Sequence, residues 1–176
     1  VTILAGRGKV FDKRIPVKVN PRLDSRHPDV IRVKKMLDKG HLADDFTDLR
    51  DQIEADLITA LKGFDVLIAH NVASLHKNLP LTAALHQAHQ IPGFPRLVLW
   101  HHDLAWSTPR YRGELHPGYP WDLLRATWND AVHVVISETR RQELGSLLGI
   151  SSDSIHVIPN GVDLDSFYTV SYTHLT

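Results

Sequence analysis

Residues 65–100, DVLIAHNVASLHKNLPLTAALHQAHQIPGFPRLVLW, decide the fold class of this chain. A short apolar run over residues 65–69 is followed by a polar loop, a helical pattern over residues 79–90 and a second apolar run over residues 96–100. Both apolar runs are continuous rather than alternating, which is typical of strands that are buried on both faces. A strand, a helix and a second strand in this order predict a parallel sheet that is covered by helices.

The same alternation extends in both directions from this unit. An amphipathic helix begins near residues 44–45, because apolar side chains then recur at three- and four-residue spacing. Another helix is predicted over residues 121–131, and a further one from its N-cap Ser137 to its stop at Gly149. The predicted strands are residues 1–5, 15–19, 65–69, 96–100, 133–137 and 155–158. We therefore expect an α/β fold, a parallel sheet with helices on both faces.

The composition fits one soluble globular domain and excludes several classes of function. The 176 residues are 43% hydrophobic and 23% charged, with 20 Lys and Arg against 20 Asp and Glu. A formal net charge of zero gives no global attraction to nucleic acid. The chain has no cysteine, which excludes disulfide scaffolds, thiolate zinc sites and cysteine nucleophiles and fits a reducing, cytoplasmic compartment. No apolar run approaches the roughly 18 residues of a membrane span, so we expect any membrane contact to be peripheral.

Polar residues follow four of the predicted strands. In open α/β sheets the ligand lies outside the carboxyl ends of the strands, so these residues are the first to consider for function. The four segments are HNVASLHKN (residues 70–78), HHDLAWSTPRYRGELHPGYP (101–120), SETRR (137–141) and PNGVD (159–163). We expect them to converge on one rim. A purely structural reading is also open, because Ser137 is a good N-cap and Asn160-Gly161 is a common turn dipeptide.

Three segments resemble the N-terminal half of a family 4 glycosyltransferase of the GT-B fold: LVLWHHDLAW, VHVVISETRRQELGSLLGISSDSIHVIPNGVDLDSF and DVLIAHNVASLHKNLPLTAAL. The order of motifs carries the resemblance: a strand that ends in His-Asp, a strand that ends in Ser with Arg close behind, and a strand that runs into Pro-Asn-Gly-Val-Asp. The resemblance implies two Rossmann-like domains that face each other across a cleft. The N-terminal domain then binds mainly the acceptor, and the C-terminal domain binds mainly the nucleotide-sugar donor.

The resemblance also implies a reaction and a role for the residues after the fourth strand. The reaction is transfer of a sugar from a nucleotide-sugar, which serves as co-substrate, to an acceptor hydroxyl, with the anomeric configuration retained and without a cofactor or a required metal. His102 matches the histidine of the His-Asp phrase, where an imidazole hydrogen-bonds the donor sugar. Asp103 then orients that histidine or its loop.

Other residues at the strand ends are candidates for binding and for the hinge between domains. The candidates for substrate binding are His70, Asn71, Ser137 and Arg140. The guanidinium of Arg140 suits a phosphate or a sugar carboxylate, although a solvated position in the first helical turn is the alternative. The candidates for the interdomain hinge are Asn160, Gly161 and Asp163.

The resemblance sets an expectation for the limits of the domain. Residues 1–168 are expected to form the acceptor-side domain, cut at both ends. The first strand with its Gly-rich loop and the whole second domain are not in this sequence, so we expect the chain alone to be inactive. Residues 169–176 have neither periodicity nor turn chemistry, and TVSYTHL resembles the translation of a transposase adapter used in DNA library preparation. We expect these residues to be a non-native tail.

Two other functions are open on the sequence. Twelve histidines without a cysteine allow a metal-dependent hydrolase, built from His101, His102, Asp103, His86 and His89. Against it, the adjacent His101 and His102 leave a strand toward opposite sides. A non-catalytic sugar-binding domain of the same fold is the third possibility.

Overall fold

The computed structural model describes residues 1–162. In chain order, the strands and helices of this part are β1 (Ile3–Ala5), β2 (Val17–Val19), α1 (Pro28–Leu37), α2 (Phe46–Leu61), β3 (Val66–His70), α3 (Leu79–Ala88), β4 (Arg96–His101), β5 (Val132–Val135), α4 (Glu138–Leu148) and β6 (Ile155–Val157). The six predicted strands all form: β1, β2, β5 and β6 are shorter than predicted, β3 is shifted by one residue, and β4 is one residue longer. No helix in this part of the chain has the length and apolarity that crossing a membrane requires. The expected non-native tail, residues 169–176, lies outside the described residues.

The strands form two parallel sheets. β3, β4, β5 and β6 lie side by side in this order, and β1 pairs with β2 in a separate sheet. The register places His70 beside Trp100 and His101 beside Val135. The predicted α/β class with a parallel sheet is therefore confirmed. Because neighbouring strands run in the same direction, the residues that follow them lie along one edge of the sheet.

The four-stranded sheet contributes to two apolar cores. Leu97 and Leu99 of β4 are buried in a core that they share with apolar side chains of α2 and α3. A smaller core under α4 contains Val135 of β5. In β3 the alternate residues Val66 and Ile68 are 49% exposed, so the expected burial on both faces does not hold for this strand. β3 is an edge strand of its sheet, and an edge strand has a neighbour on one side only.

Two helices have the predicted form. The buried face of α2 consists of Phe46, Leu49, Ile53, Leu57 and Leu61. α4 follows Ser137, whose Oγ accepts a hydrogen bond from the backbone N–H of Arg140 at 3.3 Å. Its end is Gly149, which adopts the left-handed conformation at φ 67° and donates its N–H to the carbonyl of Gly145. An N-cap serine and a left-handed glycine are the standard devices for these two positions.

The predicted helix over residues 121–131 is wrong. Only Trp121–Arg125 is helical, and it forms a 3-10 turn. The side chains of Trp121, Leu124 and Trp128 are buried, and their spacing of three and four residues imitates a helix. Here the spacing reflects the burial of three large apolar side chains in the core, and the backbone between them is otherwise irregular.

Helix α1 was not predicted. It begins with Pro28 directly after His27, whose Nδ1 accepts a hydrogen bond from the N–H of Asp29 at 3.3 Å. Its buried side chains are Val30, Val33 and Leu37. These three residues recur at three- and four-residue spacing, so the sequence does carry a helical signal here, which the prediction of strands and loops missed.

Candidate functional site

The carboxyl ends of β3 and β4 bring two predicted site histidines into contact. Nδ1 of His70 lies 3.3 Å from Nε2 of His102, and the two ring centroids are 5.5 Å apart. The ring of His70 also stacks on the indole of Trp100 at 5.4 Å. Burial, and then the neighbouring His102, lower the pKa of His70. One imidazole must donate and the other accept in this contact, so the pair is suited to sharing one hydrogen.

Asn71 connects the end of β3 to the loop that follows β4. Its Oδ1 accepts hydrogen bonds from the backbone N–H of His102 at 2.7 Å and of Asp103 at 3.3 Å. Its own backbone N–H donates to the carbonyl of Trp100 at 2.8 Å. The backbone of Asn71 is left-handed, with φ 57°. The amide oxygen of this predicted substrate-binding residue is therefore occupied by the protein backbone.

Asp103, Arg140 and Ser137 extend the same site toward α4. Nη2 of Arg140 lies 3.6 Å from Oδ1 of Asp103, and its Nη1 donates to Glu143 at 2.6 Å. Ser137 caps the helix through the backbone N–H of Arg140. The guanidinium is thus shared between two carboxylates, and a phosphate group would have to compete with them for it.

Two of the three predicted hinge residues lie in the described part of the chain. Asn160 and Gly161 follow β6 and are exposed. Within residues 1–162 they make no hydrogen bond to His70, His102 or Arg140. Asp163, the third predicted hinge residue, lies outside the described residues.

A cavity of about 350 Å³ opens beside His70 and Asn71. Its opposite wall includes Gly6, Arg7, Asp24 and Ser25. The Nε of Arg7 lies 3.3 Å from a carboxylate oxygen of Asp24. At Gly6 a Cβ would come within 2.2 Å of the backbone nitrogen of Asp24, so this approach of the two backbones requires glycine.

Sequence reasoning missed this wall of the cavity. Gly6 and Arg7 directly follow the carboxyl end of β1. The rule that directed attention to the ends of β3, β4, β5 and β6 applies equally to β1, and would have found them. Asp24 and Ser25 carry no such signal, because they follow a 3-10 turn and reach the cavity only through the fold.

His101 lies on the buried side of β4. Its Nε2 is 3.1 Å from Nδ1 of His133 on β5, and both residues are buried. Burial first, and then His133 and His102, lower the pKa of His101 to about 3. Burial also lowers the pKa of His133. Both imidazoles are therefore neutral near pH 7, and this pair belongs to the core rather than to the rim.

The histidines that a metal-dependent hydrolase would use lie in separate places. Within residues 1–162, no group of three or more His, Cys, Asp or Glu side chains is placed to hold a metal ion. His86 and His89 pack around Trp128, with ring centroids 4.8 Å and 5.7 Å from the indole. His101 pairs with His133 instead of joining His102. The geometry gives the hydrolase hypothesis no support.

One of three comparisons with known proteins finds a match. A family model described as Glycosyltransferase Family 4 matches residues 46–166. The match covers more than half of the chain and includes β3 to β6 with the polar residues that follow them. No curated protein and no solved structure matches the chain. The order of strands and the residues at their carboxyl ends, together with this match, show that the chain belongs to Glycosyltransferase Family 4.

Proposed function

We propose that this chain is the acceptor-side domain of a retaining glycosyltransferase, which transfers a sugar from a nucleotide-sugar to an acceptor hydroxyl together with a second, donor-binding domain. One observation carries the proposal: His70 and Asn71 line a cavity where the carboxyl ends of two parallel strands converge, and His102 contacts both of them. Ligands of open α/β sheets bind at this edge. Family membership supplies the reaction class.

The lining of the cavity supports an acceptor with several hydroxyl groups. The guanidinium of Arg7 is paired with the carboxylate of Asp24. The ammonium of Lys77, which also lines the cavity, is paired with Glu114. The hydroxyl of Ser25 and the imidazole of His70 add neutral groups that can donate or accept. A wall with matched donors and acceptors and little unbalanced charge suits a neutral saccharide better than a highly charged compound.

In the proposed reaction, the acceptor oxygen forms a bond to the anomeric carbon while the bond from that carbon to the nucleoside diphosphate breaks. The hydroxyl proton leaves with the diphosphate. His102 hydrogen-bonds a hydroxyl of the donor sugar as positive charge develops on the ring, which is where a fixed polar group contributes most. Asp103 holds the loop of His102 through its contact with Arg140.

Binding of saccharides to the isolated chain tests the acceptor cavity. We expect neutral saccharides to shift the NMR resonances of His70, Asn71 and Asp24 in the 15N-labelled chain. Ser25→Trp should abolish these shifts, because a tryptophan there occupies the cavity. Ser107→Trp is the matched control, since Ser107 is also an exposed serine and lines a separate surface cavity. Two results count against the proposal. One is that the shifts persist in Ser25→Trp, and the other is that none of the tested saccharides shifts these resonances in the wild-type chain.

A further inference from the structure

Asn71 meets two structural requirements at once. Its φ of 57° lies in the left-handed region, which glycine, asparagine and aspartate tolerate far better than other residues. Its Oδ1 is a short acceptor that reaches the backbone N–H groups of His102 and Asp103. An amide that served only to bind a ligand would need neither the unusual backbone conformation nor these two bonds.

The bonds of Asn71 hold the end of β4 and the loop that follows it at three places. The register pairs His70 with Trp100, and the N–H of Asn71 then donates to the carbonyl of Trp100. Where the strand pairing ends, the side chain of Asn71 takes over and accepts from the next two N–H groups of the neighbouring segment, those of His102 and Asp103. The backbone from which the His102 side chain projects is therefore fixed by Asn71.

We propose that Asn71 is the positioning residue of this site: its amide oxygen sets the backbone of His102 and so places the His102 imidazole against His70 before any ligand binds. A polar group that is already oriented needs no reorganisation as charge develops in a reaction. The effect on turnover rests on the proposed function, whereas the effect on geometry is a property of the chain itself. The two can therefore be tested separately.

Two substitutions at Asn71 separate its two requirements. Asn71→Gly keeps the left-handed backbone, which glycine adopts without strain, and removes the acceptor oxygen. Asn71→Asp keeps a short acceptor and tolerates the same backbone conformation. Asp130→Gly is the matched control for the backbone, because Asp130 is also left-handed, with φ 60°. Asp130 is exposed and lies two residues after Trp128, away from the His70–His102 pair in the chain.

NMR on the isolated chain provides the first test. In the wild type and in Asp130→Gly we expect a nuclear Overhauser effect between the rings of His70 and His102, whose centroids are 5.5 Å apart. Asn71→Gly should abolish this effect, and exchange of the His102 amide hydrogen should become faster by about fivefold to tenfold, the change expected for one net hydrogen bond. Asn71→Asp should retain both properties.

Three NMR results would overturn the proposal. The first is an Asn71→Gly chain that keeps the Overhauser effect between the two rings and the wild-type exchange rate. The second is an Asn71→Asp chain in which both properties change, because a retained acceptor oxygen would then not be what maintains them in the wild type. The third is the same change in Asp130→Gly, which would show that the change follows from any glycine substitution at a left-handed position and not from loss of the Asn71 amide. Melting temperatures of all four chains show whether each is folded.

Turnover in the two-domain enzyme provides the second test. We expect Asn71→Gly to lower kcat by roughly a hundredfold with little change in KM, because a displaced catalytic group affects the reaction more than binding. Asn71→Asp should restore most of this activity. Wild-type kcat in an Asn71→Gly enzyme whose two imidazole rings have moved apart would overturn the positioning role. Absence of transfer in the wild-type enzyme would instead contradict the proposed function and leave the NMR result valid.

Discussion

His101 and His102 are neighbours in the chain and have opposite environments. His101 is 2% exposed and contacts His133, whereas His102 lies at the rim beside His70. Their opposite directions are predictable, because successive side chains of a strand point to opposite faces. Their partners are not predictable from the local sequence. His133 and Asn71 reach them only through the pairing of β4 with its two neighbours, which no short pattern specifies.

The buried pair of His101 and His133 should make the fold sensitive to acid. Both pKa values are lowered in the folded chain, that of His101 to about 3. An unfolded histidine binds a proton near pH 6.5. Their contribution to stability is therefore complete above about pH 6.5 and is lost as the pH falls toward the folded pKa. Each histidine that stays neutral contributes a slope of about 1.4 kcal/mol per pH unit in that window.

Urea unfolding at a series of pH values measures this slope. We expect His133→Leu to reduce the dependence of the unfolding free energy on pH just below about pH 6.5, because a histidine whose pKa is lowered by burial is removed. His156→Ala is the control, since His156 is exposed on β6 and its replacement should leave the slope unchanged. An identical slope in His133→Leu and in the wild type is the result that this explanation does not allow.

At the scale of the elements, the sequence predicts best where the signal is local. α4 is predicted at both ends because Ser137 and Gly149 act on their own helix. The segment over residues 121–131 was mistaken for a helix because its buried tryptophans have helical spacing for a reason that lies in the core. α1 was missed although its signals are local: Val30, Val33 and Leu37 have three- and four-residue spacing, and Pro28 stands at its first position.

A cluster of charges around Glu114 joins three elements. Its Oε2 lies 2.8 Å from Nζ of Lys34 on α1, 2.6 Å from Nε2 of His76 and 3.2 Å from Nζ of Lys77. The hydrogen bond from Lys34, together with those from His76 and Lys77, lowers the pKa of Glu114 to about 2. Burial lowers the pKa of His76 and outweighs the opposite effect of Glu114. A neutral His76 can donate its Nε2–H to the ionised carboxylate.

Glu114→Gln should therefore destabilise the fold at pH 7. We expect the free energy of unfolding to fall by about 1–3 kcal/mol, because the buried His76 keeps only a neutral partner and two lysines lose their countercharge. Partial exposure of the carboxylate limits the effect. The folded pKa lies below the usual value of 4.5, so this stabilisation is present above about pH 4.5 and is lost as the pH falls toward about 2. Chemical denaturation at pH 7 measures the difference.

Glu138→Gln is the matched control for this substitution. Glu138 pairs with Arg141 on the surface, with 63% of its side chain exposed, and such pairs contribute little. We expect Glu138→Gln to change the unfolding free energy by less than about 1 kcal/mol. Equal effects of the two substitutions would show that the Glu114 cluster has no special role.

At the scale of the whole molecule, the class of the fold was predictable and the division of its strands was not. Continuous apolar strands that alternate with helices predict a parallel sheet. No strand, however, carries in its own sequence the identity of its neighbour, so the separation of β1 and β2 from the other four emerges only in the structure. An apolar groove of about 460 Å³ runs between the two sheets, lined by Ile3, Leu4, Val66 and Ile68 among others.

The same limit applies to the candidate site. The residues that follow β3 and β4 were predicted from the general rule for parallel sheets, and they do lie together. The wall formed by Gly6 and Asp24 depends on how the β1–β2 unit is placed against β3, which is a long-range property. The sequence therefore predicted the side of the cavity formed by His70 and Asn71, and not the side formed by Gly6 and Asp24.

The central claim is that His102 acts in catalysis at the rim and is not a structural histidine. Turnover per folded molecule of the two-domain enzyme, measured for His102→Ala, tests it most directly. We predict that turnover falls by about a hundredfold to a thousandfold, as for loss of a hydrogen bond that strengthens in the transition state. The melting temperature should change little, because a residue at the rim contributes less burial than a core residue. The control His156→Ala should leave turnover unchanged. The claim would be contradicted if His102→Ala kept near-wild-type turnover per folded molecule and lost much of its stability.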